Sequence, residues 1–192
     1  RLSITIALIG ELPAATLRRD AARAGDEIYV TATLGDAALG WRILDGRIRV
    51  QGAARRYLVN RFLSPTARLA AGTRLARMRP APAAIDVSDG LMRDLGHICE
   101  KSGVGARIDA GAVPLSQAYR AVMRGDRSLA LGGGEDYELL FCLRRGRDPR
   151  ALSRALGVRV TRIGQITRGR GVRVDGDGVP VQVGFDQLKT RV

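Results

Sequence analysis

Leu2, Ile4, Ile6 and Leu8 fall on one face of Leu2-Ser-Ile-Thr-Ile-Ala-Leu-Ile9, the period-2 pattern of a half-buried strand. The chain opens inside that strand with no cap or turn before it, which predicts further residues upstream and a sheet to pair with. After Pro13 the segment to Ala22 reads as a short helix, and Arg23-Ala-Gly-Asp26 as a turn into a strand over Glu27 to Thr33. A helix is expected from Gly35-Asp36 to about Leu44, and another over roughly 54–63. A third, with Ser64 as cap and Pro65 at the first position, is expected to reach Met78.

Arg79-Pro-Ala-Pro-Ala83 breaks the helical pattern, and Ala83-Ala-Ile85 then feeds Asp86-Val-Ser-Asp-Gly90. Leu91, Leu95 and Ile98 follow at helical spacing, so this stretch predicts a strand, a sharp turn and a helix. Downstream the pattern gives strands at 106–109, 137–143 and 159–166, with helices at 115–124 and 148–156. A hairpin is expected over Gly171 to Val181, turning at 175–178. Strands interleaved with helices on this scale imply an α/β (α+β) domain with a mixed sheet covered by helices.

Composition narrows the class. The 192 residues are 45% hydrophobic, enough for a substantial core, and no apolar run approaches the ~20 residues that span a bilayer, so a cytoplasmic protein is expected. Cys99 and Cys142 lie far apart and outside any Cys-x-x-Cys pair, and are expected to be buried and reduced. The net charge is +13, and nearly all of the excess is scattered arginine. Aromatic content is only 4%, with none of the basic and aromatic interleaving of nucleic-acid binders, so no specific nucleic acid is expected.

Two segments carry candidate chemistry. Asp86, Ser88 and Asp89 stand where a strand gives way to a helix, a place that favours anions. Two carboxylates there repel each other, whereas a hard divalent cation would neutralise both and bridge to phosphate; Ser88 or Asp89 capping the helix is the equally open alternative. In Gly132-Gly-Gly-Glu-Asp-Tyr-Glu138 the glycines permit close backbone approaches, and Glu135 and Asp136 at the loop tip suit a cationic ligand or a second metal, unless this is an ordinary turn. Glu138 points away from Tyr137, Leu139 and Phe141 and is read as structural or solvated. No Lys-Ser/Thr tail follows the glycines, which excludes an ordinary P-loop. His97, with no acidic partner at an obvious spacing, reads as a boundary residue, and Asp94 and Glu100 as solvated.

Taken together, Ile85-Asp-Val-Ser-Asp-Gly-Leu91 and Gly133-Gly-Glu-Asp-Tyr-Glu-Leu-Leu-Phe141 closely resemble thiamine-monophosphate kinases. Gly25 to Asp36, Ser102-Gly-Val-Gly-Ala106, Arg162-Ile-Gly164 and Gly184-Phe-Asp186 fall in the same order, so the resemblance covers the whole chain. Gly132 and Gln187-Leu188 depart from the family's usual residues. The resemblance implies ATP-dependent phosphorylation of thiamine monophosphate to thiamine diphosphate with Mg²⁺, on a fold shared with aminoimidazole ribonucleotide synthetase and selenophosphate synthetase. It also implies a homodimeric two-domain plan. Residues 1–10 would be the last strand of an N-terminal ATP-binding domain and 11–192 the C-terminal domain, with this part inactive by itself. Asp86 and Asp89 would be Mg²⁺ ligands, Ser88 and Arg19 (or its neighbour Arg18) would contact ATP, and Glu135 and Phe185 would bind thiamine. No residue is needed as a nucleophile. The alternatives are a ribonucleotide cyclo-ligase or selenophosphate synthetase of the same fold group, and a non-catalytic RNA-binding module.

Overall fold

In a computed structural model, residues 3–11 and 16–176 are described. A six-stranded sheet forms the centre, in the order β2-β4-β1-β5-β3-β6. The strands are β1 (Glu27–Thr31), β2 (Ala83–Val87), β3 (Gly105–Asp109), β4 (Glu138–Leu143), β5 (Val160–Thr167) and β6 (Gly171–Asp175). Neighbours run antiparallel except β3 and β6, which are parallel, so the sheet is mixed.

β1 is buried along its whole length because both faces of the sheet are covered. Ile28 and Val30 enter the larger core, with Val87, Leu91, Leu95, Ile98, Leu140 and Cys142. Tyr29 points the other way and stacks on Phe141, ring centroids 5.6 Å apart, in a second core with Leu75, Leu152 and Leu156. The larger core is roofed by α1 (Asp36–Leu44), α2 (Gly52–Leu63), α4 (Leu91–Ser102), α5 (Gln117–Met123) and α6 (Ser128–Gly132); α3 (Leu69–Ala76) and α7 (Pro149–Leu156) cover the opposite face. The mixed sheet covered by helices is the expected class.

Local cues account for several boundaries. Asp148 caps α7 by accepting from the N–H groups of Arg150 (3.0 Å) and Ala151 (3.1 Å), Pro149 opens the helix, and Gly157 closes it in the left-handed region. Ser116 caps α5 by accepting from Tyr119 N–H at 2.9 Å. Cys99 and Cys142 are buried free thiols, as expected, and burial pushes Cys99 up to about 11.

Three expectations differ from the structure, and one helix was not foreseen. Residues 3–10 form no strand, and Ile4, Ile6, Leu8 and Ile9 are exposed: no partner strand for them exists among the described residues. Residues 16–22 are not helical. Arg18 bridges to Ala83 and its carbonyl accepts from Ala84 N–H (3.0 Å), while Ser102 Oγ donates to the Arg19 carbonyl (2.8 Å) and accepts from Ala22 N–H (3.2 Å), drawing the segment out along β2 and the end of α4. Ser64 ends α2 instead of opening α3, which starts at Leu69. The short helix α6, placed just before the glycines, carries too few residues for a visible period. The turn of the expected hairpin beyond Gly176, its second arm and Phe185 lie outside the described residues; β6 itself forms and adds to β3.

Candidate active site

β2 delivers Asp86 and Ser88 to the top of the sheet, and the turn Ser88-Asp-Gly90 passes into α4. The N-cap of α4 is Gly90, at φ 109°, with no side-chain cap bond, so neither Ser88 nor Asp89 serves as the helix cap. Their backbone is held by Asp94 instead. One carboxylate oxygen of Asp94 accepts from the N–H groups of both Ser88 and Asp89, each at 3.0 Å. Asp94 is 2% exposed, which corrects its reading as solvated: the side chain turns back from the first turn of α4 under the loop. Burial pushes it up to about 6; the two N–H donors oppose the shift, and the charges of Asp89 and Asp86 add to it.

His97 is half-buried, as its boundary reading expected, but it does have acidic neighbours. It follows Asp94 by three residues on one helix face, and a ring nitrogen lies with oxygens of Asp89 and Asp94 in a group whose atoms are all within 4.8 Å of one another. The spacing to Asp94 was readable on the helix, whereas Asp89 joins only through the turn. Arg93 stands 3.7 Å from Asp89 on the outer side.

These residues line a cleft of about 730 Å³ with Arg18, Arg19 and Lys101. Lys101 is seven residues beyond Asp94, about 10 Å along α4 at 1.5 Å per residue. Arg19 is tied beside the same end of the helix by Ser102. The cleft wall therefore passes from carboxylates at the start of α4 to cations at its end. Of the two arginines, Arg18 is paired with Asp20 through its guanidinium, Nε to Oδ1 being 2.8 Å.

The second motif lies directly against the first. Glu135 N–H donates to the Ser88 carbonyl and Tyr137 N–H to the Val87 carbonyl, each at 2.9 Å. Gly134 makes this approach possible: a Cβ there would sit 2.1 Å from the Ser88 oxygen. Glu135 is exposed at the loop tip, as expected, and its carboxylate accepts from the Tyr137 hydroxyl at 2.8 Å. Asp136 is not available to a ligand. It is buried, and accepts from Gly35 N–H (2.6 Å) and Ala37 N–H (3.2 Å), closing the start of α1 from across the fold. Burial pushes it up to about 7, and the two N–H donors moderate the shift.

Glu138 is structural, as expected, and wholly buried. It receives Arg61 at 2.9 Å, Arg68 through two bonds of 2.6 Å, and the Thr31 hydroxyl at 2.7 Å. Asp36 accepts from Ser116 and Thr33 hydroxyls, each at 2.6 Å. Thus Asp86, Ser88, Asp89 and Arg19 come together in one cleft; Glu135 is outside its lining, bonded to its wall.

Oxygen donors beside cations suit a divalent metal with a phosphorylated ligand, and relatives carry matching names. The chain is 43% identical over 200 residues to the thiamine-monophosphate kinases of Salmonella typhimurium and Escherichia coli, covering 98% of this chain and 61% of each relative. It therefore spans about three-fifths of their length. Among solved structures, that of thiamine-monophosphate kinase from Stenotrophomonas maltophilia has 42% identity and a TM-score of 0.75, covering 85% of this chain and 54% of that one. AaThiL complexed with AMPPCP and TMP has 32% identity and a TM-score of 0.72, covering 86% and 52%. Escherichia coli HypE, 23% identical with a TM-score of 0.67, shares the fold. AIR synthase related protein, C-terminal domain, matches residues 23–177. The chain belongs to that family.

Proposed function

We propose that this chain is the C-terminal part of a thiamine-phosphate kinase that transfers the γ-phosphoryl group of ATP to thiamine monophosphate, giving thiamine diphosphate. The observation that carries the reading is the pair of 2.9 Å bonds joining the Glu135 loop to the Asp86-Ser88-Asp89 loop, which holds a candidate substrate-reading carboxylate against a metal- and phosphate-suited cleft. The names of the relatives, and a similar structure holding AMPPCP and TMP, support the same reading.

In this reading residues 1–10 are the last strand of an N-terminal ATP-binding domain and the remainder is the C-terminal domain of a homodimeric enzyme. The exposed Ile4, Ile6 and Leu8 suit a strand that pairs with that domain. Asp86 and Asp89 fit Mg²⁺, being hard oxygen donors on one cleft wall. When bound, Mg²⁺ offsets the charge of the ATP phosphates. Ser88 donates its hydroxyl to a phosphate oxygen, and Arg19 pairs with the polyphosphate. Glu135, with Phe185, receives the cationic thiazolium and aminopyrimidine of thiamine.

The acceptor phosphate oxygen is already anionic and attacks the γ-phosphorus in line, so the protein needs no nucleophile or general base. Its task is to align two polyanions and stabilise spreading charge. The chain by itself is accordingly inactive, because the upstream domain supplies the rest of the ATP site.

The test uses the protein with its upstream domain. Glu135→Ala is expected to raise KM for thiamine monophosphate about tenfold or more while leaving KM for ATP within about twofold, the loss of one charge-assisted contact. An unchanged KM for thiamine monophosphate in a folded variant removes Glu135 from the substrate site.

A further inference from the structure

Tyr137 is not among the residues the reading above assigns. Its backbone is at φ 51°, and that of Glu135 at φ 68°. Both lie in the left-handed region, which few non-glycine residues occupy and which bulky side chains avoid. Two such residues flanking a single position mark a backbone held from outside, and strain of this kind persists only where the surroundings over-determine it. Three anchors do so. Ser88 and Val87 carbonyls take the Glu135 and Tyr137 N–H groups, and between them Asp136 is fixed to Gly35 and Ala37.

The consequence is directional. Asp136 is driven into the core, while Glu135 and Tyr137 are both turned out, with Tyr137 37% exposed. On that outer side the Tyr137 hydroxyl donates to Glu135 Oε2 at 2.8 Å. The Glu135 bond, followed by burial and the charges of Glu135, Asp86 and Asp89, pushes the phenol up to about 12, so it remains a donor throughout the neutral range. An exposed glutamate is otherwise free among its rotamers, and a ligand must then order it on binding.

We propose that Tyr137 is a positioning and specificity residue: its hydroxyl holds the Glu135 carboxylate in the orientation that receives the cationic part of the acceptor substrate. The proposal rests on the kinase reading and deepens it. The strained backbone aims both side chains, and the hydroxyl selects one carboxylate rotamer in advance of the ligand.

Tyr137→Phe removes the hydroxyl and keeps the ring. In the protein with its upstream domain, the expected result is a rise of about five- to tenfold in KM for thiamine monophosphate, with kcat and KM for ATP within about twofold and an unchanged unfolding midpoint. Added to Glu135→Ala, which removes the acceptor, the same substitution is expected to have no further effect, since the two act as one unit. An unchanged KM for thiamine monophosphate in Tyr137→Phe overturns the proposal, as does a full additional rise in the Glu135→Ala background, or a loss confined to kcat. If the parent enzyme turns over ATP but not with thiamine monophosphate, the kinase reading itself fails, a result separable from any of these.

Discussion

Asp136 and Asp94 are buried carboxylates that satisfy backbone N–H groups, Asp136 at the start of α1 across the fold and Asp94 in the loop that leads into its own helix. Asp136 satisfies N–H groups of α1 from about a hundred positions away in sequence, and Asp94 satisfies those of Ser88 and Asp89. Neither role shows in local spacing, because the first joins separate elements and the second reverses the usual direction of a cap. Asp136 also has a pH consequence. Its value is raised from 3.8 to about 7 by burial, so between those values the folded protein binds a proton that the unfolded chain releases. Its contribution to stability therefore falls as pH rises from about 4 to about 7 and is level outside that window, with a size on the order of a few kcal/mol. Urea unfolding of Asp136→Asn and parent across that window is expected to show the variant gaining relative to the parent as pH rises. A difference independent of pH would contradict the assignment.

At the scale of elements, the contact between the two motif loops depends on Gly134 having no side chain. Gly134→Ala would place a Cβ 2.1 Å from the Ser88 carbonyl, a backbone atom that cannot move aside alone. We expect about 1–3 kcal/mol of destabilisation from such overpacking and weaker substrate binding with it. Glu138 joins β4 to β1, α2 and the residue preceding α3. Glu138→Ala leaves two largely buried guanidinium groups without their partner, and a loss of about 3–5 kcal/mol in denaturant unfolding is expected. A loss below about 1 kcal/mol would mean that the arginines are re-solvated at little cost. Elements with strong local signals were legible: β1 with its Ile-Tyr-Val run, the α7 framed by Asp148-Pro149 and Gly157, and the strand, turn and helix around Asp86. Those governed by distant partners were not. The segment after Thr16 follows β2 because of bonds from Ala84 and Ser102, and the Ser64-Pro65 pair lost its helix start to the end of α2. In the candidate site, Asp86, Ser88, Asp89 and Glu135 were singled out by motif order, whereas the burial of Asp94 under the loop, the approach of His97 to Asp89 and the bond of Tyr137 to Glu135 depend on how the loops fold.

Over the whole molecule, the +13 charge is not a uniform field over the site, since the cleft combines four aspartates, Asp20, Asp86, Asp89 and Asp94, with Arg18, Arg19 and Lys101. That mixture suits a metal with a polyphosphate better than an extended nucleic-acid backbone, which calls for a continuous basic track. The exposed Ile4, Ile6, Leu8 and Ile9 extend the account beyond this chain, to a partner sheet that the proposed N-terminal domain would supply. The most direct measurement is phosphorus NMR of ATP and thiamine monophosphate incubated with the two-domain protein and Mg²⁺, run in parallel with Asp86→Asn. Formation of thiamine diphosphate with matching loss of the ATP γ-phosphate is expected, with a fall of at least about a hundredfold in the variant. Absence of thiamine diphosphate from a folded, ATP-binding protein, or an undiminished rate in Asp86→Asn, would contradict the kinase reading.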